Sequence, residues 1–290
     1  MSEIFKWLNK ADAKRPGNPP AEVLDMGFRS RTSHDPDLSA EASRLQGHLS
    51  SQAEFDMELA DQKLRSVLDT RTLPGEQLRF LRTRLNQLQR QQGFRKLLVT
   101  SSVPGEGKTF ISCCLAGILA QEPGKRVLLM DADMRKPKTA QNLGLDRETE
   151  LIGLSHLLQR AHSLEESLLK SSNMGLYLLP SGEVPENPSE LLACDSLEDI
   201  IHDTAELFDW VVIDSPPVLN IADSSRLAPL CDTVIMVVHA NKTPAKLIQK
   251  SIQMIGRNSI CGIVMNRTKI HSTSRYYYKY YSSKHGRGEK

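Results

Sequence analysis

The feature that most constrains the fold is a short apolar run that leads directly into a glycine-rich loop. The run Lys96–Thr100 is followed by residues 101–109, Ser-Ser-Val-Pro-Gly-Glu-Gly-Lys-Thr, and then by a helical pattern over Phe110–Ala120. In such an arrangement successive backbone N–H groups converge on an anion, and the helix N-terminus adds positive potential. The order therefore predicts a phosphate-binding loop, in which Lys108 reaches the phosphates and the Thr109 hydroxyl binds Mg²⁺.

The loop departs from the usual pattern at its first position, where Ser102 stands in place of glycine. A glycine-rich turn that binds nothing is the alternative interpretation of this segment. The strand pattern before the loop and the helical pattern after it argue against that alternative, because phosphate binding requires both.

Further apolar runs alternate with helical stretches and indicate an α/β fold. Continuous apolar strands separated by helices are typical of a mostly parallel sheet that is covered on both faces. Ligands of such sheets bind beyond the C-terminal ends of the strands, which is where the motifs of this chain lie. The further runs are Arg126–Met130, Leu176–Leu179, Trp210–Ile213, Thr233–Val238 and Gly262–Met265.

Two of the apolar runs end in aspartate. Asp131 and Asp133 follow the second run and, in an extended chain, point the same way, while Asp214 follows the fourth run. A strand that ends in Asp is commonly only a cap or a turn. Downstream of a phosphate loop, however, such carboxylates can hold Mg²⁺. Three carboxylates exceed the need of one ion, and a surplus carboxylate can accept a proton from a hydroxyl nucleophile, as in a kinase.

Composition excludes several classes of protein. The 290 residues are 39% hydrophobic and 25% charged, which is ordinary globular usage rather than that of a disordered or collagenous chain. No apolar run approaches the roughly 20 residues that span a bilayer, and the N-terminus has no signal-peptide core. The five cysteines are odd in number and lack CxxC spacing, which favours reduced, buried cysteines in a cytoplasmic protein.

The two ends of the chain differ from its middle. Residues 2–14 allow a short helix, whereas residues 15–50 mix Pro, Ser, Asp and Arg without period and predict a linker. Leucines recur at helical spacing within Glu76–Arg90. We therefore expect an N-terminal extension over residues 1–73, a phosphate-loop domain over 74–268 and a tail over 269–290.

The tail is basic and unusually rich in tyrosine. From Arg267 to Lys290 it has seven Lys and Arg and one Glu, a net charge of +6, although the whole chain carries only +2. An adhesive tail that stacks on RNA bases or on a polysaccharide is one interpretation. A kinase substrate is the sharper one, since a site that needs a hydroxyl is predicted nearby. Five of the six tyrosines lie in this tail, at Tyr276, Tyr277, Tyr278, Tyr280 and Tyr281.

Together these motifs resemble the bacterial tyrosine kinases (BY-kinases) of exopolysaccharide and capsule assembly, in their stand-alone cytoplasmic form. The resemblance covers about residues 74–290. Residues 131–137 resemble the family's Walker A′ motif, residues 213–217 its Walker B motif, and Pro180–Leu192 its Pro- and Asn-rich segment. The five tyrosines resemble its autophosphorylated cluster.

The resemblance implies a role for each matching residue. Lys108, Asp131, Asp133 and Asp214 are the catalytic set, in which Asp131 takes the tyrosine proton, although the division of roles between Asp131 and Asp133 stays open. Thr109, Asp133 and Asp214 support the metal, and Asn266 contacts adenine. The nucleotide-binding residues are Gly105, Glu106, Gly107, Lys108, Thr109, Phe110, Asn266 and Arg267.

The resemblance also implies an assembly. Glu76, Arg79 and Arg82 match the family's ExxRxxR oligomer motif and lie within an arc of about 120° on one helix. An intrahelical Glu–Arg pair is the alternative. The expected partners are further copies in a ring, with an octamer as the candidate size, a separate membrane polysaccharide co-polymerase that activates the kinase, and a cognate phosphatase. Nucleic acid is not expected.

The expected function is thus an ATP- and Mg²⁺-dependent tyrosine autokinase. It would phosphorylate the tail of a neighbouring subunit and regulate polysaccharide chain assembly, recruited by its partner to the inner face of the plasma membrane. One alternative is a MinD/ParA-like ATPase switch, but that group carries lysine where this chain has Val103. A catalytically idle nucleotide-binding adaptor is the other alternative.

Overall fold

The computed structural model describes residues 53–57, 60–69, 71–145, 150–219 and 223–268. The helix predicted over residues 2–14, the linker over 15–50 and the five tail tyrosines lie outside the described residues. None of the described helices is both long and apolar enough to cross a bilayer. All five cysteines are free thiols; Cys113 and Cys114 are buried as expected, whereas Cys194 and Cys231 are only partly buried and Cys261 is exposed.

The described strands form one eight-stranded sheet in the order β1-β4-β5-β3-β6-β2-β7-β8. All neighbours pair in parallel except β4 and β5, which are antiparallel. The α/β class predicted from the sequence is therefore confirmed. The strands are β1 Glu54–Phe55, β2 Lys96–Ser101, β3 Val127–Asp131, β4 Leu169–Ser171, β5 Leu176–Leu179, β6 Trp210–Asp214, β7 Thr233–His239 and β8 Ile260–Asn266.

Helices cover both faces of the sheet. Leu97 and Val99 of β2 belong to a core cluster with the helices α1–α3, whereas Leu98 belongs to a second cluster with α5 and α8. The helices are α1 Gln62–Leu68, α2 Leu73–Gln92, α3 Lys108–Ala120, α4 Thr139–Asn142, α5 Leu154–Leu158, α6 Leu164–Ser167, α7 Pro188–Leu191, α8 Ser196–Leu207, α9 Asp223–Leu227 and α10 Ala245–Ile255.

The helix predicted over Glu76–Arg90 is confirmed as α2. Thr72 caps its first turn by accepting a hydrogen bond from the Gly75 N–H, and Gly93 ends it in the left-handed conformation at φ 72°. Leu85 of this helix is fully buried against the core. α2 therefore packs through its leucine stripe, as its periodicity indicates.

The packed domain begins upstream of the boundary predicted at residue 74. β1 pairs with β4, Phe55 is buried, and Leu64 and Leu68 of α1 enter the core beside α3. Leu68 lies so close to Gly117 of α3 that a side chain at that glycine would collide with it. The boundary was predicted too late because α1 is short and β1 has only two residues, so neither carries a periodic pattern.

The topology brings the predicted motifs to one edge of the sheet. β2 lies between β6 and β7, and its C-terminal end leads into the phosphate loop. Asp131 at the end of β3 is the register partner of Asp214 at the end of β6. Parallel pairing therefore places the aspartates of two distant segments side by side.

Candidate active site

The phosphate loop turns sharply at two glycines. Gly105 and Gly107 have φ values of 84° and 92°, a region that residues with a side chain rarely adopt, and α3 starts directly after them at Lys108. A side chain at Gly107 would also come within 2.2 Å of the Asn266 amide nitrogen. Gly107 is thus required by its dihedral angle and by its close neighbour.

Lys108 lies among the predicted carboxylates. Its ammonium donates to Asp133 Oδ2 at 2.6 Å, stands 3.7 Å from Asp214 Oδ2 and donates to the Thr109 hydroxyl at 3.2 Å. Burial acts to lower the pKa of Lys108, but the two carboxylates outweigh it and the pKa is raised. Lys108 is therefore a permanent cation at this edge of the sheet.

Asp131 is buried and firmly held. Its Oδ2 accepts hydrogen bonds from the Thr139 hydroxyl at 2.7 Å, the Thr139 N–H at 3.1 Å and the Lys138 N–H at 3.2 Å, while Oδ1 accepts from the Asp133 N–H at 3.1 Å. Burial, and next the negative charge of Asp214, raise the pKa of Asp131 to about 7, against the hydrogen bonds from Thr139. A carboxylate with this pKa can exchange a proton near neutral pH.

Asp214 is fully buried, and only one of its two carboxylate oxygens accepts a hydrogen bond. Its Oδ1 accepts from the Ser112 hydroxyl at 2.9 Å, whereas Oδ2 has no hydrogen-bond partner. Burial raises the pKa of Asp214, and the nearby Lys108 opposes that rise. A buried oxygen without a donor is costly, so a cation or its hydration water is the natural partner here.

These residues fit a magnesium ion. Within the described ranges no group of three His, Cys, Asp or Glu side chains is arranged to hold a metal. Mg²⁺ does not need such a group, because it is usually bound by one or two carboxylates, by waters and by phosphate oxygens. Asp214 Oδ2, which accepts no hydrogen bond, the neighbouring Asp133 and the Thr109 hydroxyl supply hard oxygen ligands of the right kind.

Two predicted nucleotide-binding side chains point elsewhere. The Glu106 carboxylate is buried and accepts hydrogen bonds from protein groups, and the Phe110 ring packs against the hydrophobic core. Their backbone N–H groups remain part of the loop and of the first turn of α3. In this structure Glu106 and Phe110 can therefore contact a bound phosphate only through their backbone N–H groups.

Asn266 and Arg267 lie where β8 meets the phosphate loop. The Asn266 amide donates to the Glu106 carbonyl at 2.9 Å, and its Oδ1 accepts the Arg267 N–H at 2.8 Å. Arg267 is exposed and has a positive φ of 57°. Their contact with adenine stays a prediction.

A polar cluster at the edge of the site was missed by the sequence analysis. Arg135 donates to Ser189 Oγ at 2.6 Å and to the buried Asp223 at 3.2 Å, and Ser189 donates to Asp223 at 2.6 Å. These contacts join the segment after β3, the start of α7 and the start of α9. Ser112 and Thr139, which donate hydrogen bonds to two of the carboxylates predicted to be catalytic, were missed as well. Ser112 could have been found, since it lies four residues after Lys108 on one helix face.

Asp131 also borders a cleft of about 830 Å³. Apolar side chains such as Leu145 and Ile152 line it together with His156, Lys138 and Glu183. The mixed lining suits an aromatic side chain that carries a polar group.

The residues of the predicted oligomer motif contact their own chain. Glu76 and Arg79 form an ion pair on α2, and Arg82 donates to the Ile118 carbonyl of α3 at 3.0 Å. The exposed ring of Phe80 lies one turn after Glu76. An interface on this helix stays a proposal.

Comparison with known proteins agrees with this geometry. A family model described as an AAA domain matches residues 95–259. The chain is 31% identical over 215 residues to tyrosine-protein kinase YwqD of Bacillus subtilis, which covers 73% of this chain and 89% of YwqD. It is 34% identical over 243 residues to putative tyrosine-protein kinase EpsB of Ralstonia nicotianae, covering 81% of this chain but only 31% of EpsB.

Solved structures give the same family. The kinase domain of VpsO superimposes with a TM-score of 0.59 at 31% identity, covering 68% of this chain and all of that domain. The kinase domain of the Escherichia coli tyrosine kinase ETK gives 0.60 at 28% identity, covering 68% and 78%. MinD of Pyrococcus horikoshii gives 0.51 at 20% identity over 63% of this chain and 76% of that one, which shows a shared fold alone. The chain therefore belongs to the bacterial tyrosine kinase family.

Proposed function

We propose that this chain is a protein-tyrosine kinase that transfers the terminal phosphoryl group of ATP to tyrosines of its own tail. The observation that carries the proposal is the convergence of Lys108, Asp131, Asp133 and Asp214 at the end of a phosphate loop. The tyrosine cluster of the same chain supplies acceptor hydroxyls. An idle adaptor would have no need of three buried carboxylates around one cation.

The binding half of the site is assigned from the contacts of Lys108. The loop N–H groups and the Lys108 ammonium would hold the phosphates of ATP, with the ammonium turning from Asp133 toward the phosphate oxygens. Thr109, Asp133 and Asp214 would hold Mg²⁺. When bound, that ion neutralises charge on the β- and γ-phosphates.

Asp131 is the better base of the two Walker A′ carboxylates. Its pKa of about 7 suits proton transfer, whereas Asp133, which pairs with Lys108 here, would hold Mg²⁺ once the ammonium turns to the phosphates. An acceptor tyrosine would enter through the cleft that Asp131 borders. Its hydroxyl oxygen forms a bond to the γ-phosphorus as the bond to ADP breaks, and its proton passes to Asp131.

We propose that the acceptor tail comes from a neighbouring copy in a ring. The unmodified tail carries +6 and would be attracted to an acidic site. The exposed Phe80 on α2 offers an apolar contact for such an assembly. The family resemblance extends the proposal to control of exopolysaccharide or capsule assembly, through a membrane partner that activates the kinase and a phosphatase that resets it.

The proposal is tested with purified protein, ATP and Mg²⁺ and a phosphotyrosine-specific readout. The wild type should acquire label, whereas Lys108→Ala and a variant with all five tail tyrosines changed to Phe should not. Nucleotide binding without any label in the wild type, even beside its membrane partner, would reduce the protein to an ATPase switch or adaptor.

A further inference from the structure

Glu106 is an acidic residue inside a loop that is built to bind anions. Its side chain is only 1% exposed. Its Oε2 accepts the Val103 N–H at 2.9 Å, and its Oε1 accepts the His239 N–H at 3.1 Å and the Thr243 hydroxyl. Both oxygens are therefore occupied by donors of the protein.

The donors come from two separate parts of the fold. Val103 belongs to the phosphate loop itself, whereas His239 ends β7 and Thr243 lies in the turn before α10. The Glu106 carbonyl is held in addition by the Asn266 amide at the end of β8. One residue thus fixes the loop to the ends of two strands more than 130 positions along the chain.

The three hydrogen bonds to the Glu106 carboxylate reduce its repulsion of a bound triphosphate. A free carboxylate in the loop would repel a triphosphate, but here three donors compensate its charge and burial holds it within the protein. Phosphate binding depends on the direction of successive N–H groups, so a loop anchored in this way is organised before its ligand arrives.

We propose that Glu106 is a positioning residue of the phosphate loop: its side chain does not touch ATP, and ATP affinity depends on the anchor that it forms with His239 and Thr243. The inference rests on the proposed binding of ATP by this loop. It differs from the role expected from the family resemblance, in which Glu106 is a nucleotide ligand.

The test measures ATP binding by titration calorimetry with Mg²⁺, on full-length wild type and on Glu106→Gln, Glu106→Ala and Thr243→Val. The Kd should rise about tenfold in Glu106→Ala and by a smaller factor in Glu106→Gln and Thr243→Val, because hydrogen bonds to a charged group are lost. Glu106→Ala with Thr243→Val should bind no more weakly than Glu106→Ala alone, since Thr243 acts only through Glu106. Glu198→Gln, an exposed residue of α8, is the matched control.

The number of ATP molecules bound per chain, which the same titration gives, distinguishes a loss of affinity from a loss of folded protein. A merely structural role would lower the fraction of active protein and leave the Kd of the remainder unchanged, which would overturn the proposal. So would Glu106→Gln binding ATP as tightly as the wild type or more tightly, the result expected if the carboxylate only repels phosphate. Thr243→Val, a change at a loop position, keeps the test decisive if Glu106→Ala does not fold. Failure of the wild type to bind ATP would instead refute the proposed function.

Discussion

Asp131 has the environment expected of a proton acceptor rather than of a fixed metal ligand. Four hydrogen bonds hold its carboxylate, yet burial and the charge of Asp214 outweigh them and raise its pKa to about 7. Asp133 differs because its nearest partner is the Lys108 ammonium at 2.6 Å. Two aspartates separated by one residue thus acquire different chemistry from their neighbours.

The pKa of Asp131 predicts that activity and stability change in opposite directions with pH. With Asp131 as the proposed base, phosphoryl transfer needs its ionised carboxylate, so the rate should fall below pH 7 with one apparent pKa near that value. The folded chain binds this proton more tightly than the unfolded chain, whose carboxyl has its ordinary pKa of 3.8, so the contribution of Asp131 to stability is lost as the pH rises through 7. Rates and free energies of unfolding measured from pH 5 to 8.5 check both trends.

Asp131→Asn should abolish most of the activity, about 100-fold or more, and flatten the dependence of stability on pH over this range. Asp209→Asn is the control. Asp209 lies before β6, at the opposite end of that strand from Asp214, and its pKa is lowered rather than raised. If Asp131→Asn retained the acid limb of the rate profile, another group would be the base.

At the scale of elements, α2 has two faces with different tasks. The inner face packs on the core through Leu78 and Leu85, and Arg82 donates to the Ile118 carbonyl of α3. The outer face carries the exposed Phe80 and the Glu76–Arg79 pair. The motif expected to make an interface is therefore divided between the two faces.

Arg82→Ala should destabilise the monomer. Loss of a charged donor to a backbone carbonyl costs about 1.5–3 kcal/mol, which denaturant unfolding would detect. Arg84→Ala changes an exposed arginine of the same helix and should cost less than about 0.5 kcal/mol. Equal stability of Arg82→Ala and the wild type, together with a loss of assembly, would assign Arg82 to the interface instead.

Phe80→Ser should reduce the mass of the assembly without changing the stability of the fold. The ring is 65% exposed, so its removal creates no cavity, but it takes away the largest apolar contact of the outer face. Sedimentation velocity should show smaller particles. Val184→Ser, which removes an exposed apolar side chain from the loop between β5 and α7, should leave the mass unchanged. Unchanged sedimentation of Phe80→Ser would place the interface elsewhere.

Short sequence patterns predicted those elements whose formation depends on residues close together in the sequence. The phosphate loop, α2 and six strands were found because glycine positions, leucine spacing and apolar runs are encoded within short stretches. β1 and β4 were missed because they have two or three residues and exist through pairing. Contacts such as Thr139 with Asp131 required the fold around β3, and that of Glu106 with His239 spans 133 positions. No short pattern could indicate it.

At the scale of the whole molecule, the proposed active site and the tail proposed as its substrate carry opposite charges. In the described site Asp131, Asp133 and Asp214 surround the Lys108 ammonium, whereas the tail carries +6. Each phosphotyrosine adds about −1.5 to −2 charge, so five would add roughly −7.5 to −10 and reverse the sign of the tail. The phosphorylated tail should therefore be repelled by the acidic site that attracted the unmodified tail.

Transfer between subunits is tested by mixing two inactive chains. Lys108→Ala supplies tyrosines without a working loop, and a chain with all five tail tyrosines changed to Phe supplies the loop without acceptors. Neither should be labelled alone, and in the mixture only the Lys108→Ala chain should acquire phosphotyrosine, at a rate that rises with total concentration. Adding Phe80→Ser to both chains should slow the reaction, because assembly brings tail and site together. If the wild type labels itself while the mixture stays unlabelled, each tail reaches its own site, and the charge reversal would then act within one subunit rather than on a ring.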